Sequence, residues 1–204
     1  MASRRRLSSE ESRAVAMEAA RRILIEAGPQ AVTLKAVANR IDRTHANLLH
    51  HFGSAAGLQS SLAQHLAAMV CSSIAETVQT KRIGLGQPRE VVDLAFDAFG
   101  REGGGALATW MLVSDNHNAL DPIVAMIGGL LGDIRPPFAD EDYEREIHEV
   151  TLALILLALG DALLGPRLAG SLNVSRNAAR DRAELMLAAV FAKYSNPPDI
   201  RAQA

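Results

Sequence analysis

Between positions 33 and 50 the chain gathers side chains suited to reading a nucleic acid rather than to breaking a bond. Asn47 carries an amide that presents a donor and an acceptor side by side, the pattern that matches an adenine edge. His45 and His50 can donate to a base or a phosphate, Ala46 permits close approach, and Leu49 belongs to the same outward group. Thr33, Arg43 and Thr44 are placed to anchor phosphates, helped by the backbone amides at two helix starts. Other chemistries lack their constellations. No Gly-rich phosphate loop, nucleophile elbow or paired-carboxylate arrangement is recognisable. His65, His117 and His148 are scattered, and no Asp, Glu or Cys stands where it would complete a metal site with His45, His50 and His51. We therefore expect no enzyme, no cofactor and no metal.

These side chains need a rigid platform, and the local signals describe one. Ser8 and Glu11 have capping-box spacing, followed by Ala16, Ala20, Ile23, Leu24 and Ala27 on one helical face, with Gly28-Pro29 as the stop. Thr33 can cap a second helix whose Leu34, Val37, Ala38 and Ile41 share a side. After Asp42-Arg43, Thr44 can cap a third that turns Leu48 and Phe52 inward. Two short helices meeting at a tight turn, with polar residues outside the second, are a helix-turn-helix. We place this domain at 1–54 and a larger helical domain at 55–204.

The second domain opens with a long helix from about Ala55 to Gln79. Further helices are predicted over Arg89 to Arg101, Ala106 to Val113, Pro122 to Ile134, Asp140 to Leu164 and Ser175 to Tyr194. Phe96, Phe99, Trp110, Met111 and Met126 either fill a core or line an effector cavity, with His117, Tyr143 and His148 as polar candidates for its wall. Leu152, Ile155, Leu156, Leu159 and Leu163 exceed what one domain face uses. Ala178, Ala179, Ala183, Ala188 and Ala189 allow a close helix approach, so a homodimer through these two helices is expected.

Bulk properties agree. The 204 residues are 49% apolar and only 4% aromatic, and β-branched runs are scarce, which favours an all-α fold. Residues 1–53 hold nine Lys or Arg against five Asp or Glu, while the rest holds twelve against eighteen, so a polyanion partner belongs at the N-terminal end. Arg4, Arg5 and Arg6 either enter a minor groove or form a solvated arm. The single Cys71 excludes an intramolecular disulfide. The apolar run Val150 to Leu164, broken by Gly160-Asp161, is short of a bilayer span, so no membrane and a cytoplasmic location are expected.

The run Ala31 to Ala38 (Ala-Val-Thr-Leu-Lys-Ala-Val-Ala), with Leu48, His50, His51, Phe52, Ser54 and Leu58, resembles the signature of the tetracycline-repressor family over about residues 12 to 62. The resemblance implies that the third helix reads double-stranded DNA, that a small apolar effector occupies the C-terminal domain, and that the last two long helices pair with a second subunit in a four-helix bundle. It implies an effector-responsive repressor acting on a palindromic operator. Three positions depart from the family pattern: Asp42 replaces the usual turn glycine, Leu49 stands where a phosphate-contacting tyrosine is usual, and Ala55 where lysine often follows the Ser. A protein of this fold that binds a ligand but has lost DNA binding is the alternative those departures suggest.

Overall fold

The computed structural model describes residues 9–80, 88–114, 120–137 and 139–195, and among these it contains helices and no strand. Helix α1 (Ser9–Ala27) buries Ala16, Met17, Ala19, Ala20, Ile23 and Leu24, the stripe its periodicity predicts. The expected Ser8 cap lies outside the described residues. Gly28 leaves the helix at φ 81°, and Pro29 opens a single 3-10 turn, Pro29–Ala31. Helices α2 (Leu34–Arg40) and α3 (His45–Phe52) start where their threonines allow: the Thr33 hydroxyl accepts from the Ala36 amide at 3.1 Å, and Thr44 from Asn47 at 3.2 Å. Between them Asp42 takes φ 54°, the left-handed turn position that most often falls to glycine and that Asp tolerates.

Ser54 accepts from the Gly57 amide at 2.9 Å and starts α4 (Ala55–Thr80). Then come α5 (Pro88–Phe99), α6 (Gly104–Val113), α7 (Asp121–Asp133), α8 (Glu141–Leu172) and α9 (Ala178–Ser195). Several boundaries differ from the sequence reading: α5 ends at Phe99 rather than Arg101, and α9 starts at Ala178 rather than Ser175. Gly104 and Gly105, expected in a loop, form the first turn of α6, and α8 runs eight residues past Leu164 through Gly165 and Pro166 to Asn173 at φ 53°. A Cβ at Gly165 would collide with Asp161 Oδ1 and crowd Arg176, so the missing side chain leaves room for the Asp161–Arg176 ion pair that ties the extension to the start of α9. By length and composition α8 is apolar enough to cross a bilayer, whereas the run Val150 to Leu164 by itself is short of one.

Burial falls into two cores. The first joins α1, α2 and α3 to Leu58, Leu62, Ala63 and Leu66 of α4 and to Leu107 and Met111 of α6. The second joins Val92 and Phe96 of α5, Tyr143 to Ala158 of α8, and Ala183, Leu187 and Phe191 of α9. The expected division at 54/55 lies at the head of α4, while the first core continues three turns into that helix. Arg180 stitches α9 to α5, donating to Asp93 at 2.7 Å and Asp97 at 2.6 Å with its guanidinium 5.1 Å from the Phe96 ring centre.

Candidate nucleic-acid interface and internal cavity

The helix-turn-helix is held from behind. Arg40 grips Glu26 with two hydrogen bonds of 2.6 and 2.7 Å, fixing α2 to α1 and holding the Glu26 carboxyl below its ordinary pKa. Gln59 of α4 donates to the Pro29 and Val32 carbonyls, each at 3.2 Å, bracing the chain that enters α2. Arg13 of α1 donates to the His51 carbonyl at 3.4 Å and to Ser61 at 3.0 Å, and its guanidinium lies 5.0 Å from the Phe52 ring centre. Sequence reasoning missed this role for Arg13, because nothing local marks a contact that spans thirty-eight residues.

On this platform Leu48 and Phe52 are buried, whereas Thr33, Arg43, Thr44, His45, Ala46, Leu49 and His50 are exposed and Asn47 is half-buried. Seven of the eight sequence-predicted residues are therefore open to solvent, and Asn47 is partly so. Among the described residues Arg43 makes no ion pair, so unlike Arg40 its charge is uncommitted. Lys35, which the sequence reading passed over, is exposed in the first turn of α2; the basic bias of residues 1–53 was the signal that could have found it. Arg4, Arg5 and Arg6 lie outside the described residues. Among the described residues no three His, Cys, Asp or Glu side chains converge to hold a metal ion.

A cavity of about 320 Å³ lies between α4, α5, α6, α7, α8 and α9. Of the residues proposed for it, Phe99 and Tyr143 line the wall. Phe96 does not: it is buried in the second core against Arg180. Met111 is sealed in the first core, and Trp110 turns to solvent at 39% exposure, because α6 gives the cavity Leu107, Ala108 and Leu112 and rotates the two larger side chains away. Met126 sits beside the stripe Ile123, Ile127, Leu130 and Leu131 that α7 turns inward, and His148 is exposed one position from Ile147. His117 lies outside the described residues. Cys71 is on the wall, where burial pushes its thiol pKa up.

Cavity and helix-turn-helix share side chains. Ala63, Leu66 and Leu107 belong to the first core and also line the cavity. Gly103, at φ 78° just before α6, lies so close to α1 that a Cβ would come within 2.9 Å of Leu24 Cγ. Beside it Arg21 pairs with Glu102 at 2.5 Å, and the bond raises the arginine pKa.

On the opposite side α8 and α9 leave an apolar face bare. Leu152, Leu156 and Leu163 are 59, 58 and 45% exposed and share one side of α8, and Leu185 of α9 is 62% exposed, with Ala178 and Ala189 also exposed. The other residues expected on this face are committed elsewhere: Ile155 and Leu159 line the cavity, Ala183 is buried at 2%, Ala179 packs against the second core, and Ala188 is half-buried.

Residues 16–60 match the sequence model of the bacterial regulatory proteins of the tetR family. No curated protein sequence matches the chain. Among solved structures, a TetR-family transcriptional regulator from Streptomyces coelicolor is similar with a TM-score of 0.58 and 20% identity, over 93% of this chain and 100% of its own. The multidrug binding protein EbrR, solved in complex with ethidium, is similar with a TM-score of 0.58 and 16% identity, over 90% of this chain and 99% of its own. The match to regulatory proteins of the tetR family is confined to residues 16–60, and the likeness to these solved structures shows a shared fold, an N-terminal helix-turn-helix on a larger helical domain.

Proposed function

We propose that the chain is a non-catalytic, effector-responsive repressor that binds a palindromic operator as a homodimer in the cytoplasm. The observation that carries the reading is the sidedness of α3. Leu48 and Phe52 are buried on a braced scaffold, and the outer face offers His45, Ala46, Asn47, Leu49 and His50 with Arg43 and the two threonine-capped helix starts beside it. The bare leucines of α8 and α9 support the second subunit, because the exposed, charged Arg182 one turn from Leu185 suits the rim of a protein interface better than lipid. The apolar wall of the 320 Å³ cavity supports a small apolar effector, and the complex of EbrR with ethidium, a cation, supports only that a protein of this fold can hold a small molecule. An effector that prefers one arrangement of the shared side chains Leu66 and Leu107 would shift the recognition helices, which is the coupling the repressor reading requires.

Sequencing of duplex fragments selected by the purified protein tests it. Enrichment of a palindrome with half-site centres about one helical turn, or a small multiple, apart is the expected result. The exposed Leu49 in place of a polar contact favours the second reading, a ligand-binding protein without operator affinity, and failure to retain any duplex at low salt would overturn the first reading in its favour.

A further inference from the structure

We propose that the cavity, taken as the effector site, selects an uncharged and largely aliphatic molecule whose single hydrogen-bonding group is held by Thr151, and that it rejects ions of either sign. None of the thirty-one residues on its wall is Asp, Glu, Lys, Arg or His. An ion drawn inside would give up its hydration with no opposite charge in return, a loss that extra hydrocarbon cannot repay. Gly104 in the first turn of α6 and Leu120 before α7 bring helix starts to the wall. A helix end carries only a partial charge and cannot replace a full counter-ion. The thiol of Cys71, its pKa raised by burial, leaves the wall neutral.

The polar groups on the wall are few and mostly engaged. Thr109 donates its hydroxyl to the Gly105 carbonyl at 2.9 Å, and Tyr143 has a partner of its own. Thr151 lies on α8 between Ile147 and Ile155, both on the wall, and its hydroxyl makes no hydrogen bond among the described residues. It is free to take one polar group of a ligand whose remainder meets Leu, Ile, Val and Ala.

The experiment is calorimetric titration of the full chain with four probes of equal chain length: 1-octanol, 1-chlorooctane, octanoate and octyltrimethylammonium. Octanol should bind at least tenfold more tightly than either ion. Thr151→Val should weaken octanol about three- to tenfold and leave 1-chlorooctane unchanged, while Ala108→Phe and Ala67→Phe, each filling the cavity, should abolish binding of all neutral probes. Retained helical signal and retained duplex binding establish that the variants fold. If an ion binds within tenfold of octanol and is lost in both cavity-filling variants, the cavity is an effector site and the exclusion of charge is wrong. If octanol is indifferent to Thr151→Val, the assignment of Thr151 is wrong. If no probe binds, or binding survives both filling variants, the effector reading falls with the proposal.

Discussion

Arg21 of α1 donates its Nε proton to Glu102 Oε2 at 2.5 Å, a bond that joins the recognition module to the residue two before α6 across eighty-one positions of chain. Next to it Gly103 packs against Leu24, so a polar and an apolar fastener hold the same junction. Arg21→Met should cost about 1 kcal/mol, since the pair is partly solvated. Gly103→Ala should cost more, about 1–3 kcal/mol, because it adds left-handed strain to the Leu24 clash. Chemical denaturation of both variants checks the order.

Asn47 and Arg43 should fail differently on DNA. Asn47→Ala removes base discrimination, so it should cost about 1–3 kcal/mol on the selected site and much less on random duplex. Arg43→Ala should weaken both by a similar factor and lower the slope of log affinity against log salt by about one, since one phosphate contact and its counterion are lost. Equal losses for the two variants on both duplexes would mean that the reading face is misassigned.

Leu49→Tyr should tighten binding to every duplex by roughly fivefold, about 1 kcal/mol, by adding a neutral hydrogen bond to phosphate. The salt slope should stay as it was, because no charge is added. Titrations at three salt concentrations distinguish this from a general electrostatic gain.

Leu156→Glu places a charge on the bare side of α8, where the side chain is 58% exposed in the single chain. Sedimentation at micromolar concentration should show a monomer that remains folded and binds the palindrome poorly. Ala183→Glu, at a position only 2% exposed and inside the second core, should instead lower the melting temperature sharply.

The α5–α9 junction should weaken in acid. Burial alone would raise the Asp93 pKa, but hydrogen bonds from Arg180 and Arg89 outweigh it and bring the carboxyl below 3.8. A folded-state pKa below the unfolded one stabilises the protein above the unfolded value, and that gain disappears as pH falls through the depressed value. Asp93→Asn should therefore be less stable than the parent near neutrality by about 1 kcal/mol or less, given a side chain 41% exposed. Melting curves from pH 7 down to acid should show the difference closing.

The residues of the recognition surface were legible because a helix-turn-helix is specified locally: Thr33 and Thr44 cap helices three residues ahead, Asp42 turns the chain between them, and a 3.6-residue period separates buried Leu48 and Phe52 from their outward neighbours. All of this is written within twenty residues. The cavity was not legible, because six helices from distant parts of the chain build it and the rotation of each about its own axis decides which side chains reach it. α6 is apolar all round, so its periodicity names no inward side, and only packing turns Leu107 and Ala108 to the cavity, Met111 to α1 and Trp110 to solvent. The reach of α8 was hidden for a related reason. Gly165-Pro166 reads as a stop along the chain, yet the helix runs on to Leu172, and the pairing of Asp161 with Arg176 fifteen residues away, which braces that extension, exists only once the chain has turned back toward α9.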